Sequence, residues 1–234
     1  MVSPLVGFVK VYWLQIVFLA VLGYLVGSIN FGIIVTRTLK NLDIRAVGSK
    51  NAGFTNVYRV AGPKAAVLTM IGDVGKGLMV CLIGEHIFYN LPYPGVVPYC
   101  ISRYGIFIAG IFCMIGHVYP CYFNFKGGKA ILCTLAMLLV ADYRIALILL
   151  TIFLIVLFAS KIVSLASIIG IACYPIVNLF VTFLYDYLMC GKQITIEYVA
   201  LSTTVAIFVS IFVIYKHSSN IHRLINKTES KIIK

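Results

Sequence analysis

Charge is scarce in this chain, and negative charge is scarcest. Of 234 residues, 11% are Asp, Glu, Lys or Arg, and only seven are acidic. Soluble domains carry about 25% charged residues, so an ordinary soluble fold is excluded. Disorder is excluded as well, because disordered chains are poor in apolar residues and this one is 62% hydrophobic. No Cys-x-x-Cys pair occurs. The cysteines at 81, 100, 113, 121, 133, 173 and 190 are odd in number and lie mostly in apolar stretches. They read as small buried hydrophobes rather than a disulfide framework. No internal repeat and no low-complexity tract is visible. The first apolar run is too long for the core of a signal peptide and no small-x-small site follows it, so no cleavable leader is expected.

What the chain does have is long apolar runs, with a mean hydropathy of +1.03. Charge-free intervals cover 11–36, 104–125, 145–160, 162–185 and 198–215. Two weaker ones are 65–84, which contains Asp73 and Lys76, and 130–141. A membrane-crossing helix needs about 20 residues, and 130–141 offers only ~18 Å of helix. The expected fold is all-α, a polytopic membrane bundle of about seven helices in one domain spanning 1–234, ending in a basic tail at 216–234.

The cations decide the expected orientation. With seven spans and the N-terminus outside, one face receives Arg37, Lys40, Arg45, Lys50, Arg59, Lys64, Lys126, Lys129, Lys161, Lys216, Arg223, Lys227, Lys231 and Lys234. The other face receives Lys10, Arg103, Arg144 and Lys192, and Lys76 lies within a span. Reading 130–160 as a single span would move Lys161 and the tail outside. The seven-span reading is therefore preferred, with the tail cytoplasmic and Asp142-Tyr143-Arg144 as a tight outer turn.

The polar clusters gather on that inner face. Gly27-Ser28 closes the first span. The loop Asp43–Arg59 holds Arg45, Gly48, Ser49, Asn51, Gly53, Thr55 and Asn56. Glycines let successive N–H groups turn inward as an anion nest, and Arg45 and Arg59 suit bidentate phosphate contacts. Further on, Lys126-Gly127-Gly128-Lys129 runs into an apolar segment, where a helix N-terminus would attract an anion. It is not a Walker loop, because the upstream glycine and the following Ser/Thr are absent. Ser164 and Ser167 offer hydroxyls. In the tail, His217 and Asn220 share a helical face. Asp73 and Lys76 are ionisable groups inside a span, where such groups are costly, and they can pair with each other. Cys113, His117 and Cys121 recur at four-residue spacing but lack a fourth ligand, so no metal site is assigned. Taken singly, each cluster is also compatible with a solvated loop or a helix–helix contact. Taken alone, the basic face also admits a transporter of a phosphorylated anion. That reading predicts midplane polar residues and an inverted repeat. Only Asp73 and Lys76 answer the first requirement and nothing answers the second.

Taken in order, the segments resemble the acyl-phosphate-dependent glycerol-3-phosphate acyltransferase family (PlsY type). The matching stretches are Gly27-Ser28, Asp43 through Arg59, Gly116 through Lys129, Val163 through Ser167, and His217 through Lys231. Together they cover nearly the whole chain. The sequence departs from the family pattern at Lys50, Ala130 and Lys227, where glycine is common. It departs also at Phe54, where alanine is common, and at Lys161, where arginine is common.

The resemblance implies acyl transfer from an acyl phosphate to the 1-hydroxyl of sn-glycerol 3-phosphate, giving lysophosphatidic acid and phosphate. This is the first acylation of phospholipid biosynthesis, in the bacterial cytoplasmic (inner) membrane. The donor is already activated, so no cofactor and no metal is implied. The partners are the two substrates and membrane lipid, with no nucleic acid and no obligate protein partner. No Ser-His-Asp arrangement is evident, and direct attack is expected rather than an acyl-enzyme. Substrate binding is assigned to Ser28, Arg45, Gly48, Ser49, Asn51, Thr55, Asn56, Lys126, Gly127, Gly128, Lys129 and Ser164. The catalytic residues are His217, Asn220 and Glu229. Either His217 acts as base, oriented by Glu229, or a substrate phosphate takes the proton.

Overall fold

The computed structural model describes residues 4–91, 98–189 and 194–232; Cys190, Lys192 and Lys234 lie outside them. Among the described residues every regular element is helical. Helix α1 (Pro4–Gly27) stops where Ser28 folds its Oγ back onto the Tyr24 carbonyl (2.8 Å). Asn30 then caps α2 (Phe31–Lys40) by accepting from the Ile33 amide. The short α3 (Phe54–Ala61) leads into α4 (Pro63–Tyr89), which has proline in its first turn. There proline is tolerated because its missing N–H would have had no partner. After α5 (Pro98–Val118) comes a 3-10 turn, Cys121–Phe123, and then α6 (Ile131–Ala141) and α7 (Tyr143–Ser160). The last half comprises α8 (Val163–Ala172), α9 (Tyr174–Leu179) with a π-helical extension Phe180–Met189, α10 (Ile196–Lys216) and α11 (Ser218–Ile225).

Six helical segments are long and apolar enough to cross a membrane: Gly7–Lys40, Pro63–Tyr89, Pro98–Phe123, Tyr143–Ser160, Val163–Met189 and Ile196–Lys216. The remaining interval forms α6, an apolar helix of 11 residues. At 1.5 Å per residue it measures about 16 Å, roughly half of a ~30 Å hydrocarbon core.

Lipid tails are as apolar as leucine, so helices in a membrane associate by close packing rather than by hydrophobic burial. Here glycines permit that approach. A Cβ on Gly27 would collide with the backbone of Cys113, and one on Gly116 with that of Tyr24, so α1 and α5 cross in backbone contact. Gly84 and Gly105 do the same for α4 and α5. A smaller cluster, Ile33, Ile44, Ala52, Val57, Ala65 and Ala66, forms a core beneath the 43–53 loop. At the far end, Arg144 pairs with Asp142 (2.5 Å) and Asp186 (2.6 Å), joining the turn before α7 to the π-helical segment.

Three departures from the family's glycines acquire a physical reason. Lys50 (φ 57°), Ala130 (φ 65°) and Lys227 (φ 55°) all adopt the left-handed conformation. For an L-residue that region costs roughly 1–2 kcal/mol, whereas glycine enters it freely. Restoring glycine at each position should raise stability by about 0.5–1 kcal/mol after the larger unfolded-state entropy of glycine is subtracted. Thermal unfolding in detergent checks this; a lower melting temperature for Ala130→Gly would contradict it.

Candidate active site

A cavity of about 370 Å3 opens among the 49–59 loop, the Lys129 loop, α4, α6, α7, α8 and the tail. Its mouth is polar, lined by Ser49, Asn51, Thr55, Asn56, Arg59, Lys129, Ser164, His217, Asn220 and Glu229. Its interior is apolar and continues between α6, α7 and α8 past Leu135, Leu138, Leu149, Phe153 and Ile171. The first residues of α3 (Phe54, Thr55) and α6 (Ile131, Leu132) also line it. Two helix N-termini, with their unsatisfied N–H groups, therefore border the same space as Lys129 and Arg59, a field suited to an anion.

The 43–53 loop is moulded around Asn56. Its amide reaches the carbonyls of Ile44, Val47 and Asn51 (3.0–3.1 Å), while its Oδ1 accepts from the Ser49 amide (2.9 Å). Gly48 holds a left-handed turn (φ 62°) directly over that Oδ1, where any Cβ would collide with it. Arg45 lies outside the cavity lining. Its guanidinium grips Asp43 and donates to the Phe123 carbonyl (2.6 Å), locking the two inner loops together. Hydrogen bonding from Arg45 holds the Asp43 carboxyl well below the usual range.

Gly127 and Gly128 donate their amides to the carbonyls of Val118 and His117 (3.1 and 3.0 Å). A Cβ at either would strike the end of α5, so the pair lets this loop lie flush against that helix. Ser28 is fully buried and accepts from the Cys121 amide (3.3 Å), pinning the same junction. Lys126 is exposed. Ser28, Arg45, Gly48, Gly127 and Gly128 thus shape and brace the loops, and the cavity lining excludes them and Lys126. The signal in the sequence was the motif, which does not distinguish a residue that holds a loop from one that faces a ligand.

The tail supplies the other wall. Glu229 accepts from Ser164 Oγ (2.8 Å), Asn220 Nδ2 (2.8 Å) and Arg223 Nε (2.5 Å). Burial pushes its pKa up, but these three hydrogen bonds outweigh burial and leave it lowered. Asn220 Oδ1 accepts from Lys129 Nζ. Further pins hold the tail, from Arg59 to the Ser230 carbonyl (2.8 Å) and from the Ile232 amide to the Lys161 carbonyl (2.9 Å).

His217 is buried and its Nδ1 lies 2.8 Å from the Val213 carbonyl. A carbonyl only accepts, so Nδ1 carries the proton and Nε2 is left as an acceptor. Burial lowers its pKa to about 4, so the ring is neutral at pH 7. Lys129 is lowered to about 8, first by burial and then by the neighbouring Arg223 charge. Asp73 and His117 also line the cavity, with Arg59 at its mouth. Arg59 was legible as a phosphate-type cation. Asp73 and His117 were not, because one sat within a span and the other within an incomplete metal pattern. His117 turns its Nδ1 to Lys76 (3.0 Å).

Residues 17–227 match the family model described as glycerol-3-phosphate acyltransferase. The glycerol-3-phosphate acyltransferases of Finegoldia magna and Clostridioides difficile are each 36% identical to this chain. The first covers 94% of this chain and 98% of its own length, the second 92% and 95%. The crystal structure of PlsY (YgiH), an integral membrane glycerol 3-phosphate acyltransferase, in its glycerol 3-phosphate form superposes with a TM-score of 0.75 at 31% identity. Its lysophosphatidic acid form gives 0.73 at 28%. Each alignment covers 93% of this chain and 95% of the other.

Proposed function

The chain belongs to the glycerol-3-phosphate acyltransferase family, and from that premise we propose that it transfers a fatty acyl group from an acyl phosphate to the 1-hydroxyl of sn-glycerol 3-phosphate. The observation that carries this reading is one cavity with two chemistries: a cationic, hydrogen-bonding mouth and an apolar groove between α6, α7 and α8. A fatty acyl phosphate has the same division. Its phosphate suits Lys129, Arg59 and the two helix N-termini, and its chain suits the groove. The shortness of α6 favours a laterally accessible groove, because an 11-residue helix closes only part of the membrane's depth. The cation distribution supports a mouth facing the cytoplasm, where glycerol 3-phosphate is found. The bacterial origin of the similar acyltransferases supports a bacterial cytoplasmic membrane location.

In the reaction the 1-hydroxyl oxygen forms the ester bond to the acyl carbon. The bond from that carbon to the phosphate oxygen breaks, and phosphate leaves with the electron pair. His217 Nε2 takes the hydroxyl proton and passes it to the departing phosphate. Lys129 neutralises that phosphate as charge develops. Glu229 accepts from Ser164, Asn220 and Arg223, bonds that lower its pKa, so it positions Asn220, and through it Lys129, rather than taking a proton. Positioning of two bound anions supplies much of the remaining acceleration. If His217 is the base, His217→Ala should cut turnover at saturating substrates about 10²–10⁴-fold. Unchanged turnover would transfer the role to a substrate phosphate.

The donor is tested by phosphate release from palmitoyl phosphate, with and without glycerol 3-phosphate, in purified protein. Release that requires the acceptor, with lysophosphatidic acid forming in step, is the expected result. Activity on acyl-CoA alone would overturn the donor. Silence with both donors, in folded protein, would overturn acyl transfer by this site.

A further inference from the structure

The reaction takes place at the mouth of the cavity, and the far end of the apolar groove is closed. Three helices carry the groove away from the mouth. Its lining stops at Leu138 on α6, at Ala146 and Leu149 on α7, and at Ile171 on α8. Continuing each helical face by three or four residues gives Ala141 after Leu138, Ile145 beyond Leu149, and Tyr174 after Ile171. Tyr174 opens α9, yet it keeps that register because Cys173 between the two helices has near-helical angles (φ −74°, ψ −15°). None of these three residues lines the cavity, and all are buried in the same hydrophobic core as Leu138, Ala146 and Ile171. Tyr174 is the bulkiest fully buried side chain among the described residues. Next to this layer in the chain stands Arg144, paired with Asp142 and Asp186. The groove thus ends on packed side chains backed by charge.

A closed end sets a length. On α7 the lining begins at Leu157, nearest the mouth, and the first sealed position, Ile145, lies about 18 Å along the helix at ~1.5 Å per residue. A saturated chain with bonds of ~1.5 Å at ~111° advances about 1.25 Å per carbon, so about fifteen carbons span that distance. We propose that Ala141, Ile145 and Tyr174 form the floor of the acyl groove and limit the donor to chains of about sixteen carbons. This rests on the acyl-transfer reading of the same cavity and adds which donors it takes. Lipid tails are as apolar as the groove, so a chain that fits gains little from each added methylene. A chain that overruns the floor meets an interior packed as densely as a crystal, with no slack to receive it. The signature is therefore a cut-off in length and not a gradient.

The test offers lauroyl, palmitoyl and arachidoyl phosphate as one mixture, with glycerol 3-phosphate, and reads the three lysophosphatidic acids by mass. Wild type and variants then meet the same donors in the same detergent, so a changed product ratio belongs to the protein. Wild-type protein should make the lauroyl and palmitoyl products within a few-fold of each other. The arachidoyl product should fall at least about tenfold behind, the lower end of what a methylene misfit costs in an apolar pocket. Ala146→Leu fills the groove just short of its floor and should cut the palmitoyl-to-lauroyl ratio about tenfold. Tyr174→Leu removes the ring from the floor and should raise the arachidoyl-to-palmitoyl ratio about tenfold. The two shifts have opposite signs, which a general loosening of the bundle does not produce, and either variant decides the matter if the other fails to fold. Equal yields of all three products by wild-type protein overturn the proposal, because surplus carbons then leave sideways into lipid. A wild-type cut-off that a folded variant does not move also overturns it. No product from any donor would instead overturn the acyl-transfer reading beneath it.

Discussion

Replacing Lys129 by methionine should cut kcat/KM for acyl transfer about a hundred- to a thousandfold, the usual cost of removing one preorganised donor from a developing anion. Lys129 stands beside the N-terminus of α6, lines the cavity and donates to Asn220. Asn220 is in turn held by Glu229, which also anchors Ser164 and Arg223. The residue is therefore aimed, and among the described residues no second lysine lines that cavity. A pH signature should accompany the loss. Burial lowers Lys129 to about 8, so the free protein carries its ammonium below that pH and loses it as pH rises through it. In the wild type, kcat/KM should fall tenfold per pH unit above about 8. A bound phosphate favours the ammonium, so the limb should move upward at saturating glycerol 3-phosphate. Lys129→Arg keeps its charge beyond this range and should abolish the limb. A methionine variant retaining a tenth or more of the activity would remove Lys129 from phosphate stabilisation. On the acid side, the neutral ring of His217, lowered to about 4, should place the other limb near that pH.

Gly27→Leu should prevent assembly of the bundle rather than merely weaken it. The clash is with the backbone of Cys113, which has no rotamer to change, so α1 must move away from α5. That motion breaks more than packing. The Gly27 carbonyl accepts from Lys76, and the neighbouring Ser28 holds the Cys121 amide. We expect a loss above about 4 kcal/mol, the range reserved for overpacking joined to broken buried polar contacts. The measurement is the yield of monodisperse protein in detergent, together with its unfolding temperature. Gly75→Ala is the matched control, because a Cβ there meets nothing within 4 Å. A folded, stable Gly27→Leu protein would show that α1 and α5 do not cross as described.

Arg45 and Arg144 show how far a charge can be read without a fold. Both are arginines in polar turns, one on each expected face. The folded chain gives each a carboxylate partner instead of solvent: Asp43 for Arg45, Asp142 and Asp186 for Arg144. Neither is a neutral site for substitution. The same holds for the Gly127-Gly128 pair. Its spacing suggests a phosphate nest, whereas its amides are used on the α5 carbonyls, and it is Lys129, one residue on, that lines the cavity.

The sequence by itself determined the membrane class, the helical fold and the positions of the long apolar segments. Those follow from composition and run length, which burial in lipid makes nearly additive along the chain. It also determined the family, because five short motifs in one order carry far more information than any of them alone. What only the tertiary structure decided is which motif residues face the cavity and which hold the walls. His217, Asn220 and Glu229 lie far along the chain from Thr55 and Lys129, and only the packing of α11 and the tail against α8 and the inner loops brings them together. The tertiary structure also joined His117 to the Asp73–Lys76 pair, with its Nδ1 3.5 Å from Asp73 Oδ1. Spacing suggests a pair between Asp73 and Lys76, which forms at 2.9 Å, and the fold adds the carbonyls of Gly27 and Ile29 as further partners of that ammonium. Sequence patterns record which groups are present, and hydrogen bonding depends on which of them arrive within 3 Å at a workable angle.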